Sequence, residues 1–446
     1  MLNQENIIEK YKIQFKNFEA DLNGQKEHPL HGVRKKAIEL LEDVGIPTTR
    51  DEEWRFTNLQ PLLEKSFAVA LPGQAPHINK EVLKPFLYQD FSGPQFVFVD
   101  GVFSEELSTQ IEQDTFGILL TSLQEYIRQN PQALQLLAEE PALRNNAFCA
   151  LNMAFVSDGI VIRVPDNVVL ESPVNILYLS SSQAGQTANH VRNVITIGKH
   201  AQARIVETYL SLETSEHFTN TLTTIDIDQD GHLIHNKIQN ESLKAFHIGN
   251  LFVRQNKGSH FVSNNIALGG RLVRNNLVIT LQQENAETQL NGLYMGNQTQ
   301  HIDNNTLIDH AVSNGTSHEL YQGILGDQAT AVFSGKILVR PDAQKTDAVQ
   351  NNHCLLLSDD ARINTKPQLE IYADDVKCTH GATVGQLDEE AIFYLRSRGI
   401  SEQRAKNLMI YAFAEHIIGQ MKIAPVRQFV DNIILQRFKE NMNFVK

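Results

Sequence analysis

Hydrophobic and polar positions follow three different rhythms along these 446 residues. Up to about residue 150, helical and loop patterns mix. Val33, Ala37, Leu40 and Leu41 recur at helical spacing, and Gly45 and Pro47 then stop the run, which predicts a helix over Leu30–Val44. Residues 131–139, with Ala133, Leu134, Leu136 and Leu137, predict another short helix with Pro131 in its first turn. From 151 to about 387, short β-branched and aliphatic runs succeed one another: Ile160–Val164, 174–179, 191–197, 203–210, 221–227 and Leu272–Leu281. Each ends within a few residues in Gly, Asn, Asp or Ser, as strands do at turns. No helix-length segment separates them, so βαβ crossovers are excluded.

The rhythm turns helical again over 388–446. Asp388 is placed to cap a helix over 389–398 that Gly399 ends, and Ser401 to cap a second. In the second, Ala405, Leu408, Met409, Ala412, Phe413 and His416 form the expected buried stripe. A third, over 426–440, carries Phe429, Val430, Ile433, Ile434 and Phe438 on one side. So short a helical tail must pack on the strand region, on a partner, or on both. Three regions result: 1–150, mixed helix and loop; 151–387, strands; 388–446, helices.

Two architectures fit the strand region: an antiparallel sandwich or barrel, and a parallel β-helix. The pairs Asn264-Asn265, Asn275-Asn276, Asn304-Asn305 and Asn351-Asn352 favour stacked coils, because Asn tolerates left-handed turns and its amide can bond to the amide one rung away. Their spacings of 11, 29 and 47 residues define no single period.

Composition narrows the partners. A net charge of −13 argues against a broad nucleic-acid surface. No apolar run approaches the roughly 20 residues of a membrane-spanning helix, and the first residues lack the basic-then-apolar order of a secretory signal. Cys149, Cys354 and Cys378 are too few and too scattered for a disulfide framework, which points to a cytoplasmic protein with reduced thiols.

Gly198-Lys199 and Gly335-Lys336 are followed by His200 and Ile337, so no phosphate loop is present and no nucleotide site is expected on this chain alone. Gly-x-Ser-x-Gly and His-Glu-x-x-His are absent. Asp226 and Asp228 share a strand face and could act as a general acid–base pair on a polysaccharide, or be a solvated edge. Histidines crowd the strand region without forming a ligand cluster. Cys378-Thr379-His380 differs: in an extended segment its thiol and imidazole project to one side, and both suit iron or an iron–sulfur cluster. Two ligands cannot close a site that takes four.

The surroundings of that tripeptide carry a resemblance. Residues 365–385, reading Thr-Lys-Pro-Gln-Leu-Glu-Ile-Tyr-Ala-Asp-Asp-Val-Lys-Cys-Thr-His-Gly-Ala-Thr-Val-Gly, resemble the hallmark segment of the SufB/SufD family of the SUF iron–sulfur cluster assembly system. Phe393-Tyr394-Leu395-Arg396-Ser397-Arg398-Gly399, Lys345-Thr346-Asp347-Ala348 and the N-terminal Asp51-Glu52-Glu53-Trp54-Arg55-Phe56-Thr57 are similar to further segments of it. Leu395 stands where SufB members commonly have a cysteine, and the continuation His380-Gly381-Ala382 lacks their acidic residue, which places the chain nearer the SufD side.

The resemblance implies a mainly β fold: a right-handed parallel β-helix core flanked by an N-terminal helix-and-loop region and C-terminal helices. It implies a non-catalytic scaffold subunit in a complex with a SufB-like subunit, met through the core, and a SufC-like ABC ATPase, docked by 388–440. A transient cluster, or iron and sulfide, would be held at the SufB interface by His380, with Cys378 either a ligand or a packing residue. A homodimer in the absence of SufB, a purely structural partner of SufB, and the carbohydrate-active alternative stay open at this point.

Overall fold

The computed structural model describes residues 4–22, 28, 30–71, 75–109, 117–133, 137, 145–181 and 185–439. The chain is mainly β. Strands from Ile160–Val164 to Lys377–Gly385 wind into a parallel β-solenoid of about eight turns. Successive strands alternate between two ten-stranded sheets, so each pairs with the strand one full coil away. One sheet contains Phe246–Gln255, Leu272–Leu281, His301–His310, Thr330–Val339 and Arg362–Ile371; the other contains His232–Asn240, His260–Ala267, Glu287–Gly296, Thr316–Leu325, Asp347–Leu356 and Lys377–Gly385.

The winding explains the asparagine pairs. Asn275 and Asn276 sit in register with Asn304 and Asn305, so the spacing of 29 is one coil. The spacing of 11 crosses from one sheet to the other within a coil, and 47 covers a coil and a half. The expected amide bonds between rungs form: Asn264 donates to Asn236 and Asn291 donates to Asn264, each at 2.9 Å. Coil lengths vary, from Phe246 over Leu272 to Thr330 over Arg362, which hides the period from the sequence.

The solenoid interior and part of the outer face of each sheet are covered, and three large apolar cores result. The solenoid interior holds Leu233, Phe261, Ile279, Tyr294, Ile308, Tyr321 and Phe333. The helices Gln4–Asp21, Leu30–Val44 and Ala147–Phe155 pack on the outer face of one sheet, around Phe218, Phe246 and Ile248. The helices Glu402–Ile418 and Ala424–Lys439 pack on the outer face of the other, around Ile238, Ile266, Leu293 and Ile324. Inside, large and small residues interlock: Gly292 lies under Tyr321 and Gly323 under Tyr294. A Cβ on Gly292 would stand 2.1 Å from the Tyr321 ring, so only glycine fits.

Three expectations change. The helix Ala147–Phe155 has no amphipathic period because it is buried on every side, and it crosses the division expected near residue 150; Asn146 caps it, accepting from Phe148 and Cys149. In Glu402–Ile418 the solenoid is met by Ile410, Ala414, Ile417 and Ile418, whereas Leu408, Ala412 and His416 are exposed. The apolar residues of this helix surround it; of the expected stripe Ala405 is buried and Met409 and Phe413 are half-buried, so spacing alone found only part of the buried face. Ser401 holds the N-cap position without a side-chain bond, while Asp388 caps as expected, accepting from Glu390 and Ala391. Most of 131–139 lies outside the described residues. No helix among the described residues is long and apolar enough to cross a membrane.

The two ends of the solenoid differ. At the first coil, Leu119–Ser122 runs antiparallel to Ile160–Val164, and Gln95–Val99 lies beside Val174–Ser180. At the last coil, Arg362–Ile371 and Lys377–Gly385 end their sheets, each with a neighbour on one side only among the described residues.

Candidate functional site

Cys378 and His380 lie on that last strand. Its placement begins in two stacked turns. Lys345 takes a left-handed conformation (φ 63°), its N–H donates to Asp375 O at 2.6 Å, and its ammonium pairs with the Asp375 carboxylate. The Thr346 hydroxyl donates to Ala343 O at 2.8 Å, and Lys377 N–H then donates to Thr346 O at 2.8 Å, which starts the last strand in register on Asp347–Leu356. The segment Lys345-Thr346-Asp347 is thus a turn that also aims the strand one coil on, Lys377–Gly385.

In this register Cys378 stands over Ala348 and His380 over Gln350. Ala348, Gln350, Asn352 and Cys354 are the buried alternate positions of their strand, so the row that Cys378 and His380 continue is the one facing the solenoid interior. The strand spacing brings thiol and imidazole to the same face, as their sequence separation predicts. Cys378 is half-buried beside Ile337, Val339, Ala343, Ala348 and Ala373. That burial raises its thiol above the ordinary value, and the Asp347 carboxylate adds to the effect, so the group is protonated near neutrality. His380 is exposed and has no hydrogen-bond partner among the described residues. The row simply stops here, open to whatever covers the last coil.

Among the described residues no group of three or more His, Cys, Asp and Glu side chains is arranged to hold a metal ion. Cys378 and His380 are therefore two donors without a third. Most other histidines are committed within the chain. His247 and His217 lie 2.8 and 3.2 Å from Glu241 inside the solenoid; burial raises that carboxyl, but the two imidazoles hold it well below the usual range. Burial pushes His190 down to about 3, so it is neutral. His301 meets Thr57 and Thr330, His310 meets Ser317, and His353 meets Thr383.

Asp226 and Asp228 each have partners of their own. Asp226 is held by two bonds from Arg254, and Asp228 accepts from Gln229 N–H at the turn and from Asn256. The N-terminal motif is an anchor. Trp54 is 7% exposed, stacked at 5.5 Å on Phe148, with the Arg274 guanidinium 3.8 Å from its ring centre. Thr57 donates to Asp303, which also takes Arg274.

Sequence reasoning did not single out Gln350 and Glu319, which stack beneath His380 in the same row. Only the coil period could have found them, each step being one winding of the chain.

The geometry thus leaves a solenoid whose last coil carries Cys378 and His380 on one face, and comparison with known proteins gives it a context. Residues 178–413 match the SUF system FeS cluster assembly SufBD core domain, and residues 5–176 match the SufBD protein N-terminal region. The chain is 32% identical over 422 residues to the iron–sulfur cluster assembly protein SufD of Escherichia coli, covering 94% of this chain and 95% of that one. It is also 32% identical over 419 residues to the SufBD family protein slr0076 of Synechocystis, covering 92% and 91%, and 24% identical to SufD of Bacillus subtilis, covering 92% and 94%. The chain belongs to the SufB/SufD family of the SUF iron–sulfur cluster assembly system.

Proposed function

We propose that this chain is a non-catalytic scaffold subunit of a SufB–SufC–SufD-type complex, supporting ATP-dependent assembly and transfer of iron–sulfur clusters. One observation carries the reading: the coil that bears Cys378 and His380 ends both sheets in two long parallel strands, each with a free edge among the described residues. Unpaired edges of this length are an aggregation hazard that proteins cover or blunt. Ile371, Tyr372 and Val384, 39%, 63% and 48% exposed, border these edges. A SufB-like solenoid end placed here closes the edges and brings its own ligands opposite His380, completing a site that this chain only half supplies. The cluster, or iron and sulfide, is cargo. Neutral imidazole is a ligand that leaves easily at transfer.

The second surface is on the tail. The outward side of Glu402–Ile418 and the helix Glu389–Ser397 expose Leu408 (45%), Phe393 (72%) and Tyr394 (58%). A patch of this kind marks a protein contact, and a SufC-like ATPase docked there would pass its nucleotide-driven closure through the tail helices to the solenoid they cover. The test is complementation of a strain lacking this chain, grown under iron limitation. His380→Ala is expected to fail with the complex still assembled; normal growth would remove the ligand role. A carbohydrate-active solenoid would instead act alone and lose activity on Asp226→Asn.

A further inference from the structure

Gln350 lies directly beneath His380 in the inward-facing row, one strand away, and Glu319 lies beneath Gln350. Gln350 is completely buried. Its Nε2 donates to Glu319 Oε2 at 2.7 Å, while its Oε1 is buried without a hydrogen-bond partner. The amide fills the space above Gly335, where a Cβ would stand 2.4 Å from Nε2 and 2.7 Å from Cδ. Glycine on the facing sheet and a carboxylate below thus hold this amide in one orientation. The oxygen is the end left over.

A buried carbonyl oxygen with no donor carries a desolvation cost that a donor within reach removes. The side chain on the next rung is the His380 imidazole, which has no partner of its own among the described residues. Strands in a sheet lie about 4.8 Å apart, within the reach of a side-chain rotation. We infer that Gln350 is the positioning residue of His380: the imidazole turns inward, donates one ring N–H to Gln350 Oε1, and presents its other nitrogen, as a lone pair, to the open end of the solenoid. Metal-binding histidines are commonly oriented by such an outer partner, which fixes tautomer and ring direction. Glu319 acts one step further back, by keeping the Gln350 nitrogen turned away from His380. The hydrogen bond is a property of this chain alone; its use in holding cargo rests on the function proposed above.

The test uses the full chain with 15N-labelled histidine at pH 8, where Glu319 is ionised, and His380→Ala to assign the signal. The wild type is expected to show a His380 ring N–H that exchanges slowly with water, and Gln350→Met to lose it at an unchanged far-ultraviolet spectrum. In the assembled complex, Gln350→Met is expected to bind ferrous iron about 10- to 100-fold more weakly. A His380 N–H that is absent from the wild type, or identical in Gln350→Met, overturns the inference even if His380→Ala abolishes cluster assembly. Loss of the N–H signal in Gln350→Met, with iron retained by His380→Ala, would leave the hydrogen bond standing and remove the cargo role instead. Should Gln350→Met not fold, Glu319→Leu, which frees the amide to turn over, is expected to weaken the same N–H signal; no change there also overturns the inference.

Discussion

The guanidinium of Arg274 lies 3.8 Å from the centre of the Trp54 ring, and with it the N-terminal region is locked to the solenoid. Arg274 also donates to Glu53 O at 2.8 Å and to Asn276 at 2.8 Å, and pairs with Asp303. Both charges of that pair are 1% exposed. Arg274→Ala leaves Asp303 buried without its cation and is expected to cost about 3–5 kcal/mol, measured by chemical denaturation. Arg274→Lys keeps a charge but not the planar fork that reaches three partners, and is expected to recover only part of that loss.

Inside the solenoid the limiting factor is space. Gly292→Ala and Gly323→Ala put a methyl group into the rings of Tyr321 and Tyr294 respectively. Each is expected to lose about 1–3 kcal/mol by overpacking. Because one pair is the mirror of the other in register, combining the two substitutions in these touching coils is expected to give a non-additive loss in a double-mutant cycle.

These two cases show what the sequence could reveal. The strand runs, the Asn pairs and the tripeptide at Cys378 carry their structure locally, so the strands and the shared face of Cys378 and His380 were legible, while the choice of stacked coils over a sandwich came from the resemblance. What was not legible depends on the winding. Gln350 is a full coil from His380, and no pattern shorter than a coil links them. The stripe of Glu402–Ile418 was only partly right, for another reason. Its residues are apolar around the whole circumference, so burial is decided by the partner surface and not by the period.

Burial pushes the Glu319 carboxyl from an ordinary 4.5 up to about 7, against the lowering effect of its hydrogen bonds. The folded chain therefore holds a proton that the unfolded chain releases between those values. The contribution of this group is fully present below about pH 4.5 and is lost as pH rises through 7, a fall on the order of 3 kcal/mol. Glu319→Gln keeps an acceptor for Gln350 and removes the titration. Its stability relative to wild type is expected to rise between pH 5 and pH 8, which denaturation midpoints at the two values will read.

On the tail, Phe393→Asp combined with Leu408→Asp changes side chains that are 72% and 45% exposed and is expected to leave the folded chain intact. Co-purification with a SufC-like ATPase should fall at least tenfold while association with a SufB-like subunit is kept. Unchanged ATPase recovery would place the docking surface elsewhere.

The central claim is that this chain supplies one half of a shared site. The direct measurement is the iron and acid-labile sulfide bound, after anaerobic reconstitution, by the isolated chain, by its complex with SufB-like and SufC-like subunits, and by that complex carrying His380→Ala. Cargo is expected on the wild-type complex, little on the isolated chain, and loss on His380→Ala with the subunits still associated. Full occupancy of the isolated chain, or an undiminished load on the His380→Ala complex, would contradict that claim.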